Sequence, residues 1–465
     1  MQGAEEITML FPTLTFIFGF LPITFAGFFL LASKNHALSR AFLIIASFVF
    51  YSWFNWSYAF ILAGSLLMNW FFACQLYKKR SKFILAVGIM LNILLLGYFK
   101  YYDFFVENIN VVFGTSFALK HILLPLGISF FTFQQISFLQ LVYSDGLAKR
   151  YSFETYALFV SFFPQLIAGP IVLPDEMMSQ FDKDECFKPQ YRNIAAGLYV
   201  FALGMAKKIL LADYFAEIAD PIFAGADGNF FAGWKAALAY TFQIYFDFSG
   251  YCDMAIGLGL LFNIRLPGNF NSPYRAENIA DFWRRWHITL GRFLMSSVYI
   301  PLGGNRCGKF RNCLNLLITF FISGLWHGAS WLFVLWGVLH GSALVVQRVW
   351  SKFLGLKMHK IPAALLTFFF VTLTWVLFRA KDMAEAKALY KSMFTPTSMA
   401  IENQFDLKTI SLFVIGAFIV LFLKPVTELE EKFKPTVVNA VLTIVLLIVS
   451  VFFFVKYSPF IYFNF

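Results

Sequence analysis

Charged residues are scarce in this 465-residue chain: Asp, Glu, Lys and Arg together make up 14%, whereas a soluble domain holds about 25%. Apolar residues make up 59% of the sequence, and the mean hydropathy is +0.68. About 20 consecutive apolar residues cross the hydrocarbon core of a bilayer, and runs of that length recur here. The composition excludes a soluble enzyme and a disordered chain, and it predicts a membrane protein with several spans.

Cysteine is also scarce, and the five cysteines include no CxxC pair. Their spacing excludes a disulfide framework and a cysteine metal site, so no bound metal is expected. The 37 Lys and Arg outnumber the 26 Asp and Glu, giving a net charge of +11. In a membrane protein, basic cytoplasmic loops account for such an excess. We therefore expect no nucleic-acid partner.

The long apolar runs distinguish between the two membrane architectures. Residues 10–31 and 437–454 are almost continuously apolar, whereas strands of a membrane β-barrel alternate apolar and polar residues. We predict an all-α, polytopic helical bundle of about ten to twelve membrane segments. Run 313–346 is too long for one crossing and run 65–77 too short, so some helices are expected to be broken or re-entrant. No soluble domain is evident, and 1–465 is predicted to be a single integral membrane domain.

Basic residues follow the first and third apolar runs, at Lys34, Arg40 and 78–82, while the N-terminal residues are acidic. Positive charge marks cytoplasmic loops. The first apolar run is also longer than a signal-peptide core of about 7–15 residues. We therefore expect a retained first span, an outside N-terminus and a multi-pass protein in a cell membrane.

One histidine lies near the centre of an apolar segment, at His327 within 313–347. An ionisable side chain inside a membrane is a functional hypothesis by default, although a histidine hydrogen-bonded between helices is the structural alternative. Small neighbours such as Gly324 and Gly328 let another helix or a slim ligand approach. On a straight helix His340 would lie about 20 Å away and about 140° round the axis. His340 is therefore either a hydrogen-bonding residue or a secondary catalytic candidate.

A second group of polar residues falls in 271–301, where apolar residues recur at helical spacing from Ile279 to Phe293. This pattern predicts an amphipathic helix near the membrane surface. His287 would lie on its apolar side, where a structural and a functional role are equally supported. The following loop, 301–311, is basic and glycine-rich, which is typical of an ordinary cytoplasmic loop and also of a contact with an anion or a lipid headgroup. It lacks the Walker pattern, so nucleotide hydrolysis is not predicted.

Two acidic residues occur in the apolar segment 241–257. Asp247 and Asp253 are six residues apart, and so they lie about 120° from sharing one helix face. Paired-carboxylate catalysis is therefore not expected from this segment. A hydrogen bond from either aspartate or from Tyr245 that orients a histidine is consistent with the pattern, and so is proton-coupled transport.

Several stretches, in order along the chain, resemble the membrane-bound O-acyltransferase (MBOAT) family, most closely its alginate O-acetylase branch. They are LPLGISFFTFQQIS (124–137), FFPQLIAGPIV (162–172), GMAKKILLAD (204–213), YFDFSGYCDMAIG (245–257), NFNSPYRAENIADFWRRWHITL (269–290), YIPLGGNR (299–306), SGLWHGASW (323–331) and WVLFRA (375–380). Together they fall within residues 90–380, the core of the resemblance.

The resemblance implies roles for particular residues. The histidine of the WHG motif, His327, is expected to be catalytic, with His287 of the RRWH motif as its partner. Further residues in or beside these stretches are expected to bind substrate: Trp326, Asp247, Tyr245, Asn271, Arg284 and Arg306.

The resemblance also implies a helical bundle around an acyl-transfer tunnel in the bacterial cytoplasmic membrane. An acetyl group would pass from a cytosolic thioester, acetyl-CoA, towards hydroxyls of an extracytoplasmic polysaccharide such as alginate. No tightly bound cofactor is expected. The expected partners are membrane lipid, the acyl-thioester donor, the polysaccharide acceptor and a separate extracytoplasmic acetyltransferase of the SGNH type.

Three alternatives remain open from sequence. D-alanyl transfer to teichoic acid is a related acyl transfer with a different donor. A proton-coupled transporter would use embedded His and Asp residues, but no inverted repeat is visible. A structural membrane subunit without catalysis is the third alternative, and it would not require His327 for product formation.

Overall fold

The computed structural model describes residues 9–145, 150–225, 229–395, 406–454 and 460–461. Within these ranges every regular element is a helix, which confirms the all-α prediction. The principal α-helices are Leu21–Ala32, His36–Ser52, Trp56–Lys78, Lys82–Leu96, Tyr102–Phe113, Ile128–Asp145, Phe153–Ser161, Tyr191–Ala206, Asp213–Phe223, Phe230–Leu261, Ile279–Arg285, Ile288–Leu294, Lys309–His327, Trp331–Arg348, Lys360–Arg379, Met383–Phe394, Leu407–Phe422 and Val437–Phe453.

In the described part of the chain, six helices are long and apolar enough to cross a membrane. They are Thr15–Ala32, Trp56–Lys78, Lys82–Phe113, Tyr191–Phe223, Trp331–Phe353 and Lys360–Arg379. Shorter apolar helices are His36–Ser52, Leu407–Phe422 and Val437–Phe453. The polytopic membrane fold is confirmed, while the number of crossings stays a prediction.

The chain forms two compact units. Their bounds are Met1–Leu203, Cys252–Pro267 and Phe433–Tyr457 for the first unit, and Gly204–Tyr251, Gly268–Lys432 and Ser458–Phe465 for the second. Both candidate catalytic histidines, His327 and His287, belong to the second unit. The single domain over 1–465 stays a prediction.

Phenylalanine rings and a group of amides fill the interior of the first unit. Phe16, Phe50 and Phe163 are mutually in contact, with ring centroids 5.6 to 6.0 Å apart. Large aromatic rings bury much apolar area and pack in tilted or edge-on arrangements. These contacts join the N-terminal helices to the segment after Phe153–Ser161.

The amide group, which we call the amide network, consists of Ser65, Asn69, Asn92 and Gln135. Asn69 Nδ2 donates to Gln135 Oε1 at 2.6 Å, and Asn92 Nδ2 donates to Asn69 Oδ1 at 2.7 Å. Ser65 Oγ also donates to Gln135 Oε1, at 2.6 Å. Polar side chains in an apolar surrounding stabilise helix association when they bond to one another. The network therefore sets how three helices of the first unit align.

In the second unit, the apolar run 313–346 is not one helix but a hairpin of Lys309–His327 and Trp331–Arg348. Gly328 leaves the helical conformation, with φ −166° and ψ 155°. Ser330 then caps the next helix by accepting a hydrogen bond from the Leu332 N–H at 3.3 Å. The break that excess length implied therefore falls directly after the WHG histidine.

Glycines bring the two helices of this hairpin into backbone contact. A methyl group added to Gly324 would overlap the carbonyl oxygen of Phe333, and one added to Gly337 would overlap that of Phe320. Small residues at such a contact let helix axes approach closely. The hairpin therefore closes through its backbones at the level of His327.

The prediction of one continuous amphipathic helix from Ile279 to Phe293 is wrong. It consists of two short helices, Ile279–Arg285 and Ile288–Leu294, which meet at Trp286 and His287. The break arises because backbone groups pair with a preceding segment: Asn271 N donates to Arg285 O at 2.9 Å, and Ile288 N donates to Asn269 O at 3.0 Å. Helical periodicity continues across the break, so the sequence pattern does not reveal it.

Candidate active site

His327 is the last residue of the Lys309–His327 helix and is buried, with 3% of its surface exposed. Three aromatic rings surround its imidazole. Ring centroids lie 5.0 Å away for Trp326, 5.0 Å for Trp336 and 5.1 Å for Phe378. The helix end thus presents the imidazole within an aromatic cage that limits water.

His287 is equally buried, with 1% exposed, and has left-handed backbone angles of φ 45° and ψ 51°. This conformation is uncommon for residues other than glycine, and it often marks a functional position. Its Nδ1 lies 3.1 Å from Asn269 Oδ1, and its ring meets the Phe248 ring edge-on at 4.8 Å. Burial lowers the pKa of His287 to about 3, so the imidazole is neutral at pH 7.

Trp326 connects the two histidines. Its ring centroid lies 5.0 Å from that of His327 and 5.9 Å from that of His287. The structure therefore brings together three of the residues predicted from sequence, although 39 positions separate the two histidines along the chain. Two buried imidazoles that both contact one indole ring can exchange protons with a ligand in a site that excludes bulk water.

His340 has a side-chain partner at each of its two ring nitrogens. Trp283 Nε1 donates to Nδ1 at 3.2 Å, so Nε2 carries the proton and lies 2.9 Å from Thr374 Oγ1. The ring also contacts Trp336, at 4.6 Å between centroids. Because the chain turns back after His327, both His340 and His327 contact Trp336. The separation of about 20 Å expected for one straight helix therefore does not apply. This geometry supports the hydrogen-bonding role.

Asp247 forms a buried ion pair. Lys208 Nζ lies 2.7 Å from Asp247 Oδ1 and 2.8 Å from Asp213 Oδ1, while the Ile461 N–H donates to Asp247 Oδ2 at 2.8 Å. These contacts involve no histidine, so they do not support the expectation that Asp247 orients one. Lys208 was missed from sequence, although a lysine pair within an apolar run was a visible signal.

A cavity of about 540 Å³ lies beside this ion pair. The connection from Gly328 to Ser330, which directly follows His327, forms part of its wall. A second ion pair also lines it, with Arg379 Nη2 2.8 Å from Asp220 Oδ1. The remaining lining residues are Lys208, Ala212, Asp213, Ala216, Gln243, Asp247, Phe333, Ala380, Lys381 and Ile461. The wall thus combines both signs of charge with amide and small side chains.

Tyr245 is buried within an aromatic group near His287. Its ring centroid lies 6.0 Å from that of Phe270 and 6.4 Å from that of Trp286, the residue before His287. Lys207 Nζ lies 6.0 Å from the ring centroid, within range of a cation–π interaction. Tyr245 therefore supports the segment that carries His287.

Three other predicted substrate-binding residues lie at exposed positions. The backbone of Asn271 pairs with Arg285, and Arg284 Nη2 lies 3.4 Å from Asp281 Oδ1. Arg306 follows the glycine turn, where its N–H donates to Gly303 O at 3.2 Å. None of these contacts involves a histidine.

The residue that does bond His287 is Asn269, which is 1% exposed. The NFN stretch contains both asparagines, and the sequence offered no signal to separate them. Among the residues described, no group of three or more His, Cys, Asp or Glu side chains is arranged to hold a metal ion.

Residues 29–381 match the MBOAT, membrane-bound O-acyltransferase family. The chain belongs to this family, and it is an O-acyltransferase of the membrane. The family resemblance, the fold class and the enzyme class predicted from sequence are all confirmed.

Curated relatives specify the similarity further. The chain is 47% identical to the peptidoglycan O-acetyltransferase of Helicobacter pylori over 421 residues, which cover 83% of this chain and 80% of the relative. It is 38% identical to the probable alginate O-acetylase AlgI of Pseudomonas aeruginosa, over 83% of this chain and 75% of the relative. The teichoic acid D-alanyltransferase of Streptococcus thermophilus is more distant, with 28% identity over 49% of this chain.

Proposed function

We propose that this enzyme transfers an acetyl group from acetyl-CoA towards a hydroxyl of an extracytoplasmic glycan, with His327 as the general base and His287 as its partner. The observation that carries the proposal is the aromatic-lined pair of buried histidines that contact Trp326. Groups that move protons in acyl transfer must lie within a preorganised, water-poor site.

In this mechanism, His327 accepts the proton of the attacking hydroxyl as its oxygen bonds to the acyl carbon. The resulting oxyanion collapses, the carbon–sulfur bond breaks, and the imidazolium returns the proton to the thiolate that leaves. His287 orients the reacting group during these steps. General base catalysis of this kind contributes about 100- to 10,000-fold to the rate.

The charge at the ends of three helices supports a direction for the transfer. Helices Lys309–His327 and Lys360–Arg379 end at the cavity, and Trp331–Arg348 begins beside it. Their opposite ends carry six Lys and Arg, at 309–311, 348–352 and 357–360, whereas their cavity ends carry two, Arg379 and Lys381. Basic ends mark the cytoplasmic side. We therefore assign the cavity to the extracytoplasmic side, where the acceptor arrives.

The cavity wall suits a polyhydroxyl acceptor. A hydroxyl group both donates and accepts hydrogen bonds, so it can engage carboxylates and ammonium groups together. The 47% identity to a peptidoglycan enzyme exceeds the 38% identity to an alginate enzyme. We therefore propose a peptidoglycan hydroxyl as the acceptor to test first. The protein would act in the bacterial cytoplasmic membrane together with a separate extracytoplasmic acetyltransferase of the SGNH type.

The donor and the catalytic residues are tested together in reconstituted vesicles. Radiolabelled acetyl-CoA is supplied at the cytoplasmic face, the SGNH-type partner and peptidoglycan fragments are supplied at the opposite face, and release of free CoA is measured. We expect folded His327→Ala to lose at least about 100-fold in rate, and His287→Ala to lose activity as well. His359→Ala, which changes an exposed histidine, is the matched control and should retain the natural rate.

Equal rates for all four proteins would contradict the catalytic assignment. No CoA release by the natural protein with its partner present would contradict acetyl-CoA as donor. The acceptor is tested separately, by releasing ester-bound acetate with mild base from purified peptidoglycan of cells with and without the gene. An unchanged acetate content would exclude peptidoglycan as the acceptor.

A further inference from the structure

Three hydrogen-bonding groups converge on a single oxygen beside His287. Asn269 Oδ1 lies 3.1 Å from His287 Nδ1, 3.2 Å from the backbone N of Thr289 and 2.9 Å from Thr289 Oγ1. Asn269 is 1% exposed, and Thr289 is equally buried. Water therefore does not compete for these contacts.

The backbone N–H of Thr289 identifies which side-chain atom of Asn269 it faces. A backbone N–H can only donate a hydrogen bond, so the atom opposite it must be the amide oxygen and not the NH₂ group. That oxygen can only accept. The Nδ1 atom of His287, which faces the same oxygen, must therefore carry a proton.

A neutral imidazole has one protonated nitrogen and one nitrogen with a lone pair. We propose that Asn269 is a positioning residue that holds His287 in its Nδ1–H tautomer, so that Nε2 serves as a hydrogen-bond acceptor in the acyl transfer. The inference rests on the proposed function of His287. It selects between two roles: His287 accepts a hydrogen bond from the attacking hydroxyl or from protonated His327, and it does not donate one to the acyl carbonyl.

The surrounding backbone fixes this arrangement before any ligand arrives. Asn269 O accepts from Ile288 N at 3.0 Å, so the residue that bonds the imidazole also bonds the backbone directly after it. The left-handed conformation of His287 turns its ring towards Asn269 and Phe248. Partners that orient a functional histidine through its second nitrogen fix its tautomer in this way.

The tautomer is measured directly by NMR of ¹⁵N-histidine-labelled protein in detergent, with His287→Gln used to assign the signals. We expect protonated Nδ1 in the natural protein. Thr289→Val removes another donor to the same oxygen, so the His287 tautomer should stay unchanged. Asn269→Leu, of similar volume, removes the acceptor and should populate the Nε2–H form. Protonated Nε2 in the natural protein, or an unchanged tautomer in Asn269→Leu, would overturn the proposal.

Kinetics then test whether the tautomer matters for the reaction. We expect kcat of folded Asn269→Leu to fall at least about 10-fold with little change in KM, since orientation of a reacting group is lost. Asn269→Asp keeps an acceptor and adds a charge that stabilises imidazolium. It should recover part of kcat and move the acid limb of the kcat–pH profile to higher pH.

Two further outcomes separate the claims. A natural kcat in Asn269→Leu with an altered tautomer would overturn the positioning role. Full activity of His287→Ala together with the expected tautomer would overturn the proposed function of His287, and the positioning role with it, while the structural assignment of the proton stands.

Discussion

Two of the buried polar regions in the described part of the chain, one in each unit, differ in charge. The amide network of the first unit, which includes Asn69 and Gln135, is neutral, and its members bond mostly to one another. The region around Lys208 in the second unit is charged, lines a cavity and adjoins the loop that follows His327. The neutral amides bond among themselves and fix helix positions, whereas the paired charges also line a cavity. The surroundings of the buried polar groups, and not their burial, therefore distinguish the two regions.

The largest effect is expected from removing the buried cation. Lys208→Met leaves Asp213 and Asp247 without their common partner, and loss of one partner of a buried ion pair costs about 3–5 kcal/mol. Thermal unfolding in detergent, followed by tryptophan fluorescence, measures the loss. The double variant Lys208→Met/Asp247→Asn removes one charge in compensation and should be more stable than Lys208→Met alone. If both unfold at the natural temperature, the charged region does not contribute to stability.

A smaller effect is expected at the hairpin. Gly324→Ala forces a methyl group against the carbonyl of Phe333, and overpacking costs about 1–3 kcal/mol. Because the displaced helix carries His327, kcat should also fall. Gly19→Ala, where an added Cβ meets nothing within 4 Å, is the matched control. Unchanged stability and kcat in Gly324→Ala would show that the two helices of the hairpin can move apart enough to accommodate the methyl group.

The amide network should respond in stability alone. Hydrogen bonds between membrane helices contribute about 0.6 kcal/mol on average and about 1.7 at most. Asn92→Leu is therefore expected to lower the unfolding temperature slightly, while kcat per folded molecule stays unchanged. A fall in kcat that exceeds the loss of folded protein would erase the distinction between the two regions.

The smallest effect is expected at an exposed charge. Glu428 Oε1 lies 2.6 Å from both Lys424 Nζ and Lys432 Nζ, and these hydrogen bonds lower the pKa of Glu428 to about 2. A lowered pKa means that the stabilisation is present above the ordinary pKa near 4.5 and is lost as the pH falls towards 2. Salt should weaken it. Glu428→Gln should have a lower free energy of unfolding than the natural protein at pH 7 in low salt. Unfolding measured at a series of pH values should show this difference vanish near pH 2.

The sequence predicted the fold correctly and selected His327 and His287 as candidates, because hydropathy and the WHG and RRWH motifs are local signals. The excess length of run 313–346 also indicated a break. The break at His287 could not be predicted, since it depends on pairing with Asn269 and Asn271, which lie 16 to 18 positions earlier. For the same reason Asn271 was predicted to bind substrate and Asn269 was not. Lys208 has one local partner, Asp213, but its other partner, Asp247, is brought to it only by the fold.

The backbone contact of Gly324 with Gly337 has a consequence for how the site is specified. Most protein contacts pass through side chains, which can adopt other rotamers when a neighbour changes. Here two main chains meet with only hydrogen atoms between them, so no side chain can change its rotamer to relieve a clash. The position of the WHG imidazole therefore depends on the absence of side chains at Gly324 and Gly337. Any substitution at these glycines adds atoms where there is no room for them.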